Sequence, residues 1–267
     1  MRKYAWAILL GVGLATSAPV FAADLAPAPT LAVAPDTWHF EATLDGWAPS
    51  LSANVGVLNF PTSSVHADLF QILQHLEGIA PFTVVGYNDN FIVGANLFWV
   101  RLGLGSTFGP GAFGGVNANA TINETILDVY GGVRLPIASP NLSIYGTLGA
   151  RVFDVNGSLT LQTPVLGFSR TASQGRSWAD EIVGVNARYR IDDKWFLKLE
   201  ANAGGYSGSA TWLVYPAVGY KWNPSLTTSV GYRAFYAFEQ SPANIGTGSF
   251  RFQETLYGPE LDVTYNF

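Results

Sequence analysis

From Trp38 onward, apolar and polar residues take turns along the chain. Trp38, Phe40, Ala42 and Leu44 interleave with His39, Glu41, Thr43 and Asp45. The pattern returns where Leu127, Val129, Val133 and Leu135 oppose Asp128, Tyr130 and Arg134, and where Leu142, Ile144, Leu148, Ala150 and Val152 oppose Ser143, Tyr145, Thr147 and Arg151. It returns again with Val183, Val185, Ala187 and Tyr189 against Gly184, Asn186, Arg188 and Arg190, and with Trp195, Leu197, Leu199 and Ala201 against Phe196, Lys198, Glu200 and Asn202. Successive side chains of a strand point to opposite faces, so a period of two means strands with one apolar and one polar face. Apolar residues make up 48% of the chain and charged ones only 12%, about half the roughly 25% of soluble domains. Yet no segment after the N-terminal one approaches the 18 or so consecutive apolar residues of a spanning helix. With Cys 0, no disulfide can staple the fold, and backbone hydrogen bonding must hold it.

The first 22 residues read as an export signal: Arg2 and Lys3 precede an apolar run from Ala5 to Leu14, and Val20-Phe21-Ala22 offers small residues for cleavage before Ala23. Without Arg2 and Lys3 the 14 basic residues fall to 12 against 19 acidic, a balance unsuited to neutralising phosphates, so no nucleic-acid partner is expected. Residues 23–37 form an Ala and Pro tether, and residues 38–267 the folded unit.

Two architectures absorb two-faced strands: a sandwich, whose apolar faces meet each other, and a membrane barrel, whose apolar faces meet lipid. Trp195 beside Asp192-Asp193-Lys194, Tyr220 and Trp222 before Asn223-Pro224-Ser225, and Tyr265 and Phe267 at the chain end place amphipathic rings at strand ends, as in a headgroup girdle. The fold class expected is therefore all-β, a closed up-and-down transmembrane antiparallel barrel. Ten strands are predicted, over 38–58, 79–88, 91–104, 119–135, 141–161, 174–191, 194–206, 208–222, 225–238 and 250–267. Short turns then face the periplasm, and longer loops, Ser106 to Ala118, Thr163 to Ala172 and Gln240 to Gly248, face outward. Between Ser63 and Gly78 the period changes to that of a helix, with Leu69, Ile72, Leu73 and Leu76 on one face. This predicts a helix over 64–76, either ornamenting the first outer loop or plugging the mouth.

These residues resemble a family of uncharacterised proteobacterial outer-membrane barrels. The similarity is carried by Trp47-Ala48-Pro49 with Gly56-Val57, the short helix, Trp178-Ala179-Asp180, Gly204-Gly205-Tyr206-Ser207-Gly208 with Trp212, Gly231-Tyr232-Arg233 and the terminal Phe267. The resemblance implies the fold and the outer membrane of a Gram-negative bacterium, and no chemistry. Where the family pattern has Pro after the Trp-x-Asp aspartate and Asp before the double glycine, this chain has Glu181 and Asn202, which alters any lumen network those positions share. Tyr265 and Phe267 look like the closing signal read by the barrel-assembly machinery.

Catalytic material is scarce. His39, His66 and His75 are the only histidines, and the last two stand nine apart, off the i, i+4 spacing of two ligands on a helix face. Proteolytic barrels of the omptin type need an Asp-x-His pair, which is absent from the sequence. Gly109 to Gly114 matches G-x-G-x-x-G without a following helix to bind phosphate. No enzyme activity, cofactor or metal is expected. What remains is the polar face: Glu41, Asp45, Asp128, Asp180 and Glu200 with Arg151, Arg188, Lys198 and Arg233. These line the lumen of a monomer whose partners are outer-membrane lipid and, as cargo, a small solute or ion. Two readings stand: a narrow or gated porin-like channel, and a structural or surface-interaction protein whose lumen is filled.

Overall fold

The computed structural model describes residues 37–57, 63–108, 116–163, 167–244 and 248–267. The export signal, all but the last residue of the tether and the glycine motif at 109–114 lie outside them. Twelve strands form one antiparallel sheet: β1 His39–Trp47, β2 Ser50–Val57, β3 Ser63–Ala67, β4 Leu76–Tyr87, β5 Phe91–Phe108, β6 Val116–Arg134, β7 Leu142–Thr163, β8 Phe168–Arg190, β9 Trp195–Gly205, β10 Ser209–Lys221, β11 Leu226–Asn244 and β12 Gly248–Asn266. Each strand from β4 to β12 pairs with the next, and β1 pairs with both β4 and β12. The sheet is thereby closed, which removes the free edges an open sheet would expose to lipid.

Ten staves make this barrel, as the alternation predicts, because β1 and β2 are one stave and the five-residue β3, which pairs only with β2, adds no stave of its own. Its lower half pairs Glu41 to Trp47 with Asn266 to Glu260, and its upper half pairs Ser50 to Val57 with Tyr257 to Phe250. The break falls at Ala48-Pro49, where proline has no N–H to give. The Ala48 N–H still donates to the Pro259 carbonyl at 3.0 Å. Gly258 makes this approach feasible, since a Cβ there would stand 2.2 Å from the Ala48 carbonyl oxygen.

The helix departs from expectation. α1 covers only Leu69–His75, because Ser63 to Ala67 pair with β2 and Leu76 already pairs with Leu102 of β5. Its cap is Asp68, which accepts from the Gln71 N–H at 2.9 Å while the Gln71 side chain accepts from the Asp68 N–H at 3.0 Å, a reciprocal capping box. Phe70 is 74% exposed and no residue of α1 is buried. The helix lies against the wall strands β2, β3 and β5 and does not plug the lumen.

Strands run longer than predicted at the loop end, so the three outer loops shrink and much of Ser106 to Ala118, Thr163 to Ala172 and Gln240 to Gly248 is strand. On β7 the outward residues are apolar up to Val152 and then polar, with Asp154, Asn156, Ser158 and Thr160. On β6 the change comes between Leu127 and Thr125. About 10 tilted residues cross a bilayer's hydrocarbon, so the other half of each long strand stands clear of the apolar band. Pairing continues there because backbone groups need partners whatever the side chains are. Apolar alternation ends with the hydrocarbon, and strand pairing does not.

The outer surface of the band is apolar and open, with Leu148 69% and Leu44 64% exposed. Rings gather at the turn end: Trp38, Phe40, Phe267 and Tyr265 stack in series at 5.9 to 6.2 Å, and Trp195, Tyr220 and Trp222 contact at 4.8 to 4.9 Å. This is the girdle arrangement of a membrane barrel.

Candidate functional site: a layered lumen

All nine charged residues read from the sequence as lumen-facing point inward. The β-sheet registers put each on the same side as its buried neighbours, and six of them are buried outright: Glu41, Asp45, Asp128, Arg151, Asp180 and Arg233. Their partners are specific. Arg151, with no exposed surface, donates from Nε and Nη2 to the two Asp128 oxygens at 2.7 and 2.6 Å, from Nη1 to Thr211 Oγ1 at 2.7 Å, and from Nη2 to Asn202 Oδ1 at 2.9 Å. Its guanidinium also lies over the Phe235 ring at 5.0 Å. Arg188 grips Glu41 with both Nη groups, at 2.8 and 3.1 Å, and the Tyr87 hydroxyl donates to the same carboxylate at 3.2 Å. These are the two-pronged geometries that favour arginine over lysine.

Two further acids, Glu260 and Asp262, join the charged residues around the lower lumen. Lys198 donates to Asp262 Oδ2 at 2.5 Å, where the Tyr215 and Ser229 hydroxyls also converge at 2.7 and 2.8 Å. Arg233 holds Glu260 through Nη2 at 2.7 Å and lies between the rings of Trp47 and Tyr215, at 5.4 and 5.0 Å. The signal for Glu260 and Asp262 was present: they alternate with Leu261 and Val263 in the closing strand. Asp45 brings a carboxylate oxygen within 4.8 Å of oxygens of both but bonds to Thr83, at 2.7 Å. Asp180 stands apart from the ion pairs and accepts from the Ser209 hydroxyl in the tight β9–β10 hairpin. Of the two positions that depart from the family pattern, Asn202 joins the Arg151 network, whereas Glu181 is exposed on the outer face and takes no part in the lumen.

The larger surprise is apolar. Trp47, Phe98, Ile126, Phe153, Leu213, Phe235, Ala237, Phe252 and Leu256 form one buried cluster across the middle of the lumen. Phe153 stacks on Trp178 at 4.5 Å and lies 6.2 Å from Phe235, and Trp178 meets Phe252 at 5.6 Å. These rings sit mid-strand on the polar parity, where the sequence reading expected charge and water. Nothing local distinguishes an aromatic that faces a lumen from one that faces lipid, so only closure of the sheet reveals the layer. Within it, Glu124 of β6 and Glu254 of β12 are buried and meet each other across the lumen.

Below the layer, toward the turn end, the lumen opens into a cavity of about 190 Å³ whose walls carry both signs of charge. A charge-lined vestibule under an apolar roof can bind or repel small ions.

The architecture is similar to that of the outer-membrane protease OmpT of Escherichia coli, with a TM-score of 0.56 and 12% identity, over 90% of this chain and 99% of that one. The translocator domain of the autotransporter NalP from Neisseria meningitidis aligns at a TM-score of 0.42 with 11% identity, over 89% and 91% of the two chains. The attachment invasion locus protein Ail of Yersinia pestis aligns at 0.33 with 10% identity, over 86% and 99%. No protein-family model and no curated protein matches the sequence. The first likeness shows the fold, that of an outer-membrane β-barrel, and at 12% identity it brings no activity with it.

Proposed function

We propose that this chain is a monomeric protein of the Gram-negative outer membrane whose lumen is closed, and that it serves as a wall and surface-presenting barrel, neither a diffusion pore nor an enzyme. The observation that carries this reading is the mid-lumen layer: Phe153 and Ala237 have 0% of their surface exposed and Phe235 has 2%. Side chains without accessible surface leave no water column, and an ion entering such a layer would shed its hydration without compensation.

Other features support the location and role. The apolar outer band suits lipid, and Tyr265 and Phe267 stand exposed on the outer face at the turn end, where the barrel-assembly machinery could read them as the closing signal. The N-terminal export segment and the resemblance to proteobacterial outer-membrane barrels agree with this placement, which puts the turn end in the periplasm. The polar extensions of β5 to β8, β11 and β12 then stand above the outer leaflet as the surface available to partners. His39 packs against Tyr87 at the turn end while His75 bonds to the Gln71 carbonyl at the loop end, so these two cannot act on one substrate.

Planar-bilayer recording tests the reading. The purified wild type should be electrically silent, and a variant with Phe153→Gly and Trp178→Gly should show discrete steps. Steps from the wild type at low voltage would overturn the closed lumen. The gated-channel reading draws support from the charged vestibule beneath the layer, and steps confined to high voltage would favour it.

A further inference from the structure

A cavity of about 190 Å³ lies below the aromatic layer. Its roof admits nothing, since Arg151 and Phe153 have no exposed surface. Its floor is toward the turn end: Ser143, Tyr145, Thr227 and Thr264 line it near the ends of their strands, and the Arg188 and Lys198 side chains inside it keep 40% and 25% of their surface exposed. Solvent therefore reaches it from one side only.

The charges around it do not balance. Arg188 is paired with Glu41, Lys198 with Asp262, Arg233 with Glu260, and Arg151 in the roof with Asp128. Two lining carboxylates, Asp45 and Glu200, form no ion pair among the described residues. Asp45 is 5% exposed, and Glu200 accepts only a long contact of 3.5 Å from Asn202. Both feel Arg233 and Lys198 at a distance, but neither has a cation in contact, and a carboxylate partly withdrawn from water without a paired cation is costly. The walls already favour cations: Arg188 lies 4.8 Å from the Phe196 ring centre and Lys198 4.7 Å from that of Tyr215.

We infer that this vestibule binds a small organic cation carrying one or two ammonium groups, taken from the turn end and held by Asp45 and Glu200 between aromatic walls. Size favours an organic occupant. The cavity exceeds the roughly 150 Å³ that suffices for a six-carbon ring. A bare divalent ion needs oxygens converging at about 2.0 to 2.6 Å, and in the close carboxylate group found among the described residues, Asp45 with Glu260 and Asp262, the last two already hold Arg233 and Lys198. An anion would face the unpaired carboxylates.

The test uses the mature, folded protein in detergent with 1,4-diaminobutane, butylamine, magnesium chloride and succinate as probes, read by calorimetry and by the shift in thermal unfolding. The expected result is one saturable site for the diamine, weaker binding of the monoamine, and none for succinate. Glu200→Gln and Asp45→Asn should each weaken diamine binding by about tenfold, while Glu181→Gln, on the outer face, should leave it unchanged. Both lumen variants remove an unpaired charge and keep the side-chain shape, and folding is verified by tryptophan emission. No saturable diamine binding by about 10 mM, equal binding of succinate, or diamine binding indifferent to both lumen variants overturns the inference, as does magnesium saturating the same site in preference to the amines. The result is independent of conductance, so a failure here leaves the closed-lumen reading untouched.

Discussion

Replacing Arg151 by methionine isolates the energetic centre of the lumen. Methionine keeps most of the length and apolar bulk of the side chain but removes four hydrogen bonds, of 2.6 to 2.9 Å, to Asp128, Thr211 and Asn202. Asp128 is 3% exposed, so its charge would be stranded where water cannot replace the guanidinium. Breaking a buried pair in this way costs about 3–5 kcal/mol, whereas removing both partners costs far less because no orphan charge remains. The expected loss is therefore two to three and a half powers of ten in the folding equilibrium, about 3–5 kcal/mol, for Arg151→Met alone. The double variant Arg151→Met with Asp128→Leu should lose only about 1–2 kcal/mol, a coupling well above the few tenths found for independent sites. Guanidinium titration of the protein refolded into lipid vesicles, followed by tryptophan emission, measures both. A loss below about 1 kcal/mol in the single variant, or a double-variant loss equal to the sum of the singles, would refute the reasoning.

Three further outcomes are expected. Glu254→Gln should stabilise the barrel by about 1–2 kcal/mol in the same titration, because it replaces one of two facing buried carboxylates with a group that donates to Glu124; a loss of stability would contradict this. Gly258→Val should lower stability by about 1–3 kcal/mol, since its Cβ would stand 2.2 Å from the Ala48 carbonyl oxygen; unchanged stability would show that the stave can shift. Asp192, in the exposed β8–β9 turn, accepts from the Trp195 and Lys194 N–H groups at 2.7 Å, and these bonds hold its carboxyl below the usual range. Its contribution to the turn is complete above about pH 4 and fades as pH falls through the lowered value, so a carboxyl NMR titration should give a midpoint below about 3.9, and one at or above it refutes the effect.

The sequence by itself determined the wall. Period-two alternation places Leu44, Leu148 and Val183 outward and Glu41, Arg151 and Arg188 inward without reference to any neighbour, because side-chain direction in a strand depends only on position. Ten staves and rings at the turn end follow from the same local rule, as does the inward aim of all nine charged candidates. What the rule could not decide is everything that depends on which strands meet across the lumen. Arg151 chooses Asp128 over Asp180, its register partner on the other side, and Lys198 finds Asp262 from a strand 64 residues away. Phe98, Phe153, Trp178 and Phe252 come from four separate staves and become one packed layer only when the sheet closes. The helix shows the same limit at smaller scale: its periodicity is legible, yet pairing of Ser63 to Ala67 with β2 and of Leu76 with β5 leaves it only Leu69–His75, because a backbone hydrogen bond to a waiting strand edge outweighs the small propensity of a short isolated helix.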